Sequence, residues 1–413
     1  MSNYSHKGYE QRTEGYGRRR RKASGFLKKS AGSKAAGLAV CTVAAVAVGI
    51  LVYLFADNIF LFVDSLRHND TESDITETND IPVSAEISET PDTPDLPPAQ
   101  GEFDKVDENV FVSNGSGYVR FKGIDRSARN YAAVLNSISS SMSSKVSIYA
   151  AVIPTKTDIC LDGTLEGSNS QKDNLSVIAS SLSDRVNNID VRSQLYAHRS
   201  DYVYFRTDDS LTALGGYYAY CEIESTIDAD GSGLYTLDEL SKKKGSIARF
   251  EGSFIQRTTD PKKQPHGNQQ LFDNADVIEY FKVPVHYNCY AVDQKTGGRV
   301  ETDLFSEKYT ADDSLKIFPA KDTPLLYAEN VQTEKQHKLL IVKDHAAEPV
   351  IGYFVPHFAE VHIADVSLYS GNLRQYVNEH EIDTVLFING ISNANNSLYC
   401  QRMRDQFDNS ISD

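Results

Sequence analysis

One stretch of the sequence has the residue types and spacing of a calcium-binding loop. The chain reads I-DADGSGLYTLDE-L from Ile227 to Leu240, and oxygen-bearing residues recur at alternate positions, as in an EF-hand loop. Gly233 occupies the sixth position, where such a loop turns sharply. We therefore expect Ca²⁺ as a cofactor, with a dissociation constant of about 10⁻⁴ to 10⁻³ M. The predicted ligands are Asp228, Asp230, Ser232, Leu234 through its carbonyl, Thr236 through a water, and Glu239 as the bidentate ligand.

Two observations keep a second interpretation of this loop open. Turns rich in Asp, Gly and Ser are often solvated and bind nothing. Tyr235 stands at the eighth position, where Ile or Val is commoner, and the sequence contains no second hand to pair with this loop. Helical sequence on both sides of the loop nevertheless suits a helix–loop–helix.

Two other stretches contain residues suited to acyl-ester chemistry. They are YFRTDDSLTALGGYYAY from Tyr204 to Tyr220, and KLLIVKDHAAEPVIGYFVPHFAEVHIADV from Lys338 to Val366. Together they resemble the DHHW family, exported relatives of the alginate O-acetyltransferase proteins with an SGNH-hydrolase-like fold. The resemblance covers roughly residues 101–413, and it implies a histidine base in the first stretch and a serine nucleophile in the second.

Both of these implied catalytic positions have changed in this chain. The first stretch keeps Arg-Thr-Asp at 206–208 and the later Thr212, but Asp-Ser-Leu at 209–211 replaces His-His-Trp. The second keeps Lys-Asp at 343–344, but His345 replaces the serine. A serine relay needs a nucleophile, a base and an orienting acid together. The sequence therefore predicts a degenerate site.

Asp208, Ser210 and His345 are the candidate catalytic residues at these degenerate positions. With the relay incomplete, Asp208 is interpreted as a structural carboxylate. The alternative is an exchanged pair, in which Ser210 attacks and His345 acts as base. Backbone N–H groups of such sites surround the strand-to-helix turn that now carries His345, so the oxyanion formed by Ser210 would lie in the wrong place.

The resemblance implies a protein of cell-envelope polysaccharide modification. We expect a catalytically impaired SGNH-like pseudoenzyme that serves as a carbohydrate-binding or scaffolding subunit. Its expected partners are envelope polysaccharide and a multi-spanning membrane O-acyltransferase. The alternatives are an active envelope O-acyltransferase or acetyl esterase that uses the exchanged Ser210/His345 pair, and a pure interaction module near the membrane.

Apolar runs and helical periodicity alternate along the chain that positions these residues. This alternation predicts an α/β fold with three layers and a mostly parallel sheet, whose functional groups follow the carboxyl ends of the strands. The region 235–324 is less regular and is interpreted as an insertion, and Lys156 as a solvated lysine after a strand. Predicted strands begin near Val146, Tyr202, Lys338, Glu360 and Thr384, and predicted helices near Tyr131, Leu175, Thr212 and Ser370.

The N-terminal hundred residues predict a membrane anchor and a linker. Residues 35–56 contain no charged side chain and have the length of a transmembrane helix. Residues 1–34 carry ten Lys or Arg and two Glu, and acidic residues follow the apolar stretch, so we expect a cytoplasmic tail at 1–34 and an extracytoplasmic domain at 101–413. The acidic, Pro-, Ser- and Thr-rich residues 57–100 predict a solvated linker. A cleaved signal peptide is the less favoured alternative.

Charge and cysteine content restrict the remaining possibilities. The formal net charge is −15, and the tail alone is positive, so the domain has no basic surface suited to nucleic acid. Four cysteines lie in the expected exported part, which allows three disulfide pairings or none. Buried free thiols are the favoured interpretation. The four are Cys160, Cys221, Cys289 and Cys400.

Overall fold

Thirteen strands and twelve α-helices occur in the part of the chain that the structure describes. The computed structural model describes residues 103–408, except 162, 228–232, 242–243, 261, 263–265, 307–310, 333 and 335. The strands are β1 Asp104–Lys105, β2 Val110–Ser113, β3 Ser116–Val119, β4 Ser147–Ile153, β5 Asn187–Ile189, β6 Lys244–Phe250, β7 Asp276–Phe281, β8 Tyr287–Val292, β9 Arg299–Glu301, β10 Leu325–Asn330, β11 Lys338–Lys343, β12 Glu360–Asp365 and β13 Thr384–Gly390.

The helices alternate with the strands over most of this length. The α-helices are α1 Asp125–Ser141, α2 Lys156–Cys160, α3 Gln171–Ser181, α4 Val191–Ala197, α5 Ala213–Ile227, α6 Leu237–Ser241, α7 Ser253–Thr258, α8 Gln269–Asp273, α9 Glu348–Ile351, α10 Leu373–Glu379, α11 Ile391–Ala394 and α12 Ser397–Asp405. Short 3₁₀ helices span Ala311–Ile317, His345–Ala347 and Gly352–Phe354.

Eight of the strands form the main sheet, in the order β5-β4-β13-β11-β12-β10-β8-β9. The first five run parallel to one another. β10 then runs antiparallel to β12, and β8 and β9 continue the antiparallel part. The expected α/β class with a large, mostly parallel sheet is confirmed.

Alternate residues of the central strands point to opposite faces of this sheet, and each face is buried under helices. On β11, Leu339 and Ile341 belong to the core cluster that contains residues of α4, α5 and α9. Leu340 and Val342 belong to the cluster that contains residues of α1, α10 and α12. Strands buried on both faces read as continuous apolar runs, which explains why the sequence indicated β11 so clearly.

Three features of the fold differ from the sequence-based expectations. The apolar residues from Tyr202 form no strand, and only an isolated bridge joins Tyr204 to Leu211. The region 235–324 is not a separate insertion, since it supplies β8 and β9 to the main sheet. It also forms the small antiparallel sheet of β6 and β7.

The described residues can be compared with the predictions of a membrane span and of free cysteines. Within these residues, no helix is both long enough and apolar enough to cross a membrane. The predicted tail, membrane span and linker at 1–34, 35–56 and 57–100 lie outside the described part. The four described cysteines are all free, with Cys221 partly exposed and the others buried.

Candidate functional site

Polar residues follow three neighbouring parallel strands at one edge of the main sheet. Lys156 comes shortly after β4, His345 after β11 and Asn393 after β13. Because carboxyl ends of parallel strands meet at the same edge, these residues are brought together by the topology. This is the edge of the sheet at which the sequence predicts functional groups.

The turn after β11 is fixed by the carboxylate of Asp344. Its Oδ1 accepts a hydrogen bond from the Ala346 N–H at 2.9 Å, which caps the 3₁₀ helix that begins at His345. Its Oδ2 accepts from the Gly390 N–H and from Asn393 Nδ2, both at 2.9 Å. One carboxylate thus joins the ends of β11 and β13. The side chain of His345 is exposed at this turn.

The lysine that ends β11 is fully buried between two carboxylates. Lys343 Nζ lies 3.0 Å from Glu348 Oε1 and 2.8 Å from Asp365 Oδ2. Burial alone would lower the pKa of Lys343, but the two adjacent negative charges outweigh it and raise the pKa. The pair of ion contacts therefore fixes the lysine in its charged form.

A second polar segment, the loop 205–210, lies between the bridged residues Tyr204 and Leu211. Asp208 Oδ1 accepts hydrogen bonds from Ser210 Oγ at 2.6 Å and from the Ser210 N–H at 3.0 Å. Asp208 Oδ2 accepts from the Ser253 N–H at 2.9 Å. Burial opposes ionisation, but these donors prevail and lower the pKa of Asp208.

Asp276, at the start of β7, holds this loop in place from a distant part of the chain. Its carboxylate accepts from the Arg206 and Thr207 N–H groups, both at 2.8 Å, and from Thr207 Oγ1 at 2.5 Å. The Tyr202 hydroxyl donates to it as well. Asp276 is fully buried, and sequence reasoning missed it because no motif surrounds it.

The buried ammonium of Lys156 also bonds to the main chain of the loop 205–210. Its Nζ donates to the carbonyl oxygens of Phe205 at 2.7 Å and Arg206 at 2.9 Å. Burial lowers the pKa of Lys156 to about 8, although nearby aspartates oppose that shift. The prediction of a solvated lysine is wrong, since Lys156 is fully buried and its charge is spread over main-chain carbonyl oxygens.

Asp209 differs from its neighbour Asp208 in having a carboxylate oxygen without a hydrogen bond. Its Oδ1 is buried and has no partner among the described residues. Burial raises the pKa of Asp209 to about 6, and the charge of Asp208 adds to the shift. Lys156, and to a smaller extent His345, oppose this rise in the pKa of Asp209.

Comparison with known proteins identifies the family. The family model described as "DHHW protein" matches residues 70–364, well over half of the chain. The chain belongs to the DHHW family. No curated protein matches it.

Solved structures similar to this DHHW protein include proteins of Eubacterium siraeum, Bacillus cereus and Pseudomonas putida. A DHHW family protein from Eubacterium siraeum has a TM-score of 0.62 and 23% identity, covering 72% of this chain and 94% of that one. PatB1 of Bacillus cereus with a sulfonyl adduct has a TM-score of 0.55 and 16% identity, covering 70% and 97%. The O-acetyltransferase domain of Pseudomonas putida AlgJ has a TM-score of 0.40 and 11% identity, covering 72% and 96%.

The three candidate catalytic residues of this DHHW protein do not form a Ser–His pair. Among the described residues, the Ser210 side chain bonds to Asp208 and has no hydrogen bond with His345. Two of the three candidate residues, Asp208 and Ser210, are therefore brought into contact, and His345 stands on the separate turn after β11. Asp209, which lies between Asp208 and Ser210, is a further titratable group of this loop that no spacing pattern indicates.

Only the second half of the candidate calcium loop lies among the described residues. Asp228, Asp230 and Ser232 lie outside them. Glu239 Oε2 accepts from the Thr236 N–H at 2.8 Å and from Thr236 Oγ1 at 2.7 Å, the arrangement of a capping box at the start of α6.

The glycine and the carbonyl ligand of this candidate loop are also described. Gly233 has a φ of 76°, the left-handed conformation that a sharp turn favours. Leu234, the predicted carbonyl ligand, has an exposed side chain. The described residues contain no group of three or more His, Cys, Asp or Glu suited to a metal ion.

Proposed function

We propose that this DHHW protein takes part in cell-envelope polysaccharide modification as a sugar-binding or scaffolding subunit without a working serine relay. Membership of the DHHW family, and the resemblance of its two sequence stretches to the alginate O-acetyltransferase proteins, support the process. The hydrogen bond from Ser210 Oγ to Asp208, at 2.6 Å, supports the loss of the relay, because the hydroxyl proton goes to a carboxylate and not to a histidine.

The electrostatics of the loop give a physical reason for inactivity. A general base must have a pKa near the working pH to accept a proton efficiently. Burial would raise the pKa of Asp208, but the hydrogen bonds from Ser210 and Ser253 outweigh it and lower the pKa. This carboxylate is therefore a weak base. Ser210 is therefore oriented but not activated.

The turn after β11 supports the same proposal. Three donors near it, the N–H groups of Ala346 and Gly390 and the amide of Asn393, bond to the Asp344 carboxylate. An oxyanion needs donors aimed at the position where its charge develops. Donors already bonded to a carboxylate are poorly suited to that task.

One observation favours the alternative of an active envelope O-acyltransferase or acetyl esterase. His345 opposes the burial that raises the pKa of Asp209 to about 6, so the two groups interact, and an interacting carboxyl and imidazole can support acid–base chemistry. Such an enzyme would lose turnover on His345→Ala, and an exchanged pair would lose it on Ser210→Ala too.

An acetyl-ester assay tests the proposal. We expect the purified protein to turn over a small acetyl ester at the background rate, since losing members of a relay lowers the rate by about 10⁴ or more. Ser210→Ala and His345→Ala should leave that rate unchanged. Turnover well above background that either substitution abolishes would replace this proposal with the active enzyme.

The topology and partners are proposed on the sequence. The basic tail at 1–34 and the apolar residues 35–56 support a single-pass anchor with the N-terminus in the cytoplasm and the domain outside, where envelope polysaccharide and a multi-spanning membrane O-acyltransferase would meet it. Reporter fusions after Gln100 test this arrangement. A fusion that is active only in the cytoplasm would reject it.

Calcium binding at 228–239 is proposed on the loop sequence, and the structure sharpens its test. Since Glu239 also caps α6 through Thr236, Glu239→Ala would remove a cap worth about 1 kcal/mol along with the ligand. Glu239→Gln keeps a side-chain oxygen for the cap but removes the bidentate carboxylate. We expect calorimetry to show calcium binding by the wild type that both variants weaken. Wild-type protein that gives no heat at millimolar calcium would end this proposal.

A further inference from the structure

A cavity of about 360 Å³ lies beside the loop 205–210. Its lining includes Tyr202, which precedes the loop, and Thr212, which follows it. Tyr202 also donates to Asp276, the carboxylate that holds the loop. The cavity is therefore connected through direct bonds to the segment that carries Asp208. Its volume lies in the range of pockets that take a small organic ligand.

The walls of the cavity combine aromatic and aliphatic surfaces. Tyr202 and Tyr218 supply rings, and Leu214, Leu237 and Val277 supply aliphatic groups. Rings of this kind can pack against the C–H face of a sugar. The hydroxyls of Tyr202 and Tyr218 already donate to Asp276 and Asp201, so towards a ligand their oxygens serve as acceptors. A ligand with both an apolar face and hydroxyl groups suits this lining.

The ring of Tyr218 is held in place before any ligand arrives. Its hydroxyl donates to Asp201 Oδ2 at 2.9 Å, and its ring stacks on His198 with 3.7 Å between ring centres and an interplanar angle of 11°. His198 Nδ1 lies 3.1 Å from the same Asp201 oxygen. A side chain ordered in advance loses little entropy on binding, which favours affinity.

The charged groups of the lining are all acidic. Asp201 and Glu279 carry carboxylates, and none of the described residues that line the cavity is Lys or Arg. Lys244 pairs with Glu279 from outside the lining, and both side chains are partly exposed. Carboxylates accept hydrogen bonds from sugar hydroxyls but repel uronate and phosphate groups. Because Lys244 balances the charge of Glu279, the repulsion comes from Asp201, and the described lining offers a uronate no Lys or Arg of its own. An uncharged sugar therefore suits the lining better than an acidic one.

We propose that this cavity, defined by Tyr202, Asp201, Tyr218 and Glu279, is a subsite for one neutral sugar residue of the polysaccharide. The inference rests on the proposed function and makes it more specific, since it names the class of glycan and the place where one residue of it binds. The sugar would lie with its C–H face on Tyr218 and donate hydroxyl protons to the two carboxylates.

Calorimetric titration of the full-length protein in detergent tests the subsite. The probes are hexamers of N-acetylglucosamine, glucose and mannose, with a galacturonate hexamer as the acidic counterpart. We expect at least one neutral hexamer to bind and the galacturonate hexamer not to bind. Tyr218→Ala should weaken that binding by about tenfold through loss of the stacking surface.

Two further variants separate a binding effect from a folding effect. Leu214→Trp fills the cavity without removing any hydrogen bond, so it should abolish binding while the thermal unfolding temperature stays close to that of the wild type. Tyr196→Ala is the matched control, because Tyr196 is an exposed tyrosine outside the lining, and its binding should be unchanged.

Three other titration results would contradict the subsite, the sugar class or glycan binding as a whole. A neutral hexamer that binds Tyr218→Ala and Leu214→Trp as well as wild type would reject this cavity but keep glycan binding. Binding of the galacturonate hexamer alone would reject the neutral class. A protein that binds none of the four hexamers would remove both the subsite and the sugar-binding part of the proposed function.

Discussion

Two fully buried lysines at the same edge of the sheet are stabilised in different ways. Lys343, at the end of β11, contacts two carboxylates, and Lys156, just after β4, contacts the carbonyl oxygens of the loop 205–210. Burial lowers the pKa of a lysine. At Lys343 the ion contacts outweigh burial and raise the pKa, whereas at Lys156 burial prevails and lowers the pKa to about 8.

The difference separates the two halves of the site. At the turn after β11, the ammonium of Lys343 pairs with two buried carboxylates, and these ion contacts fix the local geometry. At the loop 205–210, a cation meets main-chain dipoles, and Asp209 retains a buried oxygen without a partner. The ion contacts of the turn after β11 therefore stabilise the fold, whereas the loop 205–210 contains groups whose protonation changes with pH.

The largest effect is expected for Lys343→Met. This substitution leaves Glu348 and Asp365 as buried carboxylates without their cation, and breaking such a contact costs about 3–5 kcal/mol of unfolding free energy. Urea unfolding of the purified protein measures it. Lys338→Met is the matched control at the other end of β11, where the pair with Glu360 is partly exposed and worth about 1 kcal/mol or less. Equal losses in the two variants would contradict the distinction between the halves.

An intermediate effect is expected for Asp276→Asn, which disturbs the loop half. An amide offers one acceptor oxygen where the carboxylate serves four donors, so we expect a loss of about 2–3 kcal/mol. Hydrogen exchange at the Arg206 and Thr207 amides should accelerate strongly. Asp273→Asn, at an exposed aspartate on α8, should change stability by no more than about 0.5 kcal/mol. Unaltered exchange at both amides would show that Asp276 does not hold the loop.

In contrast to these two losses, a gain in stability is expected for Asp209→Asn. A carboxyl whose folded-state pKa is raised to about 6 destabilises the fold as pH rises from about 4 to 6, because the folded protein resists losing that proton. Asp209→Asn should therefore raise the melting temperature at pH 7 and leave it unchanged at pH 4.

Asp208→Asn is the matched variant of opposite sign. Because the folded-state pKa of Asp208 is lowered, its ionised form stabilises the fold above the ordinary pKa of about 4, and this contribution disappears as pH falls through the folded-state pKa. Asp208→Asn should lower the melting temperature at pH 7, with a deficit that shrinks in acid. Shifts of the same sign for the two neighbours would refute the electrostatic account of the loop.

Local sequence pattern explains which parts of the fold could be predicted. The runs that became β4, β11, β12 and β13 are apolar and rich in β-branched residues, since both of their faces are buried. β10 reads LLYAEN, without a β-branched residue, and was not predicted. The run from Tyr202 has strand-like composition, but it closes a short loop instead.

In the candidate site, contacts between residues near in sequence could be predicted, and contacts between distant residues could not. The bond between Asp208 and Ser210 joins residues two positions apart, and the resemblance indicated both of them. Asp276 and Lys156 reach the loop from far along the chain, and no spacing rule reveals such partners. The burial of Lys156 depends on the packing of α2 under this loop, which composition alone does not determine.

The position of β13 in the sheet has a consequence for how the chain acquires its structure. β13 lies between β4 and β11 although it is the last strand of the described residues, and its register pairs Thr384 with Ser147. A ribosome that has not yet released residues 384–390 leaves both flanking strands without their central neighbour. The sheet therefore closes only after residues 384–390 have been synthesised, and until then the facing edges of β4 and β11 are unpaired and prone to associate with other chains.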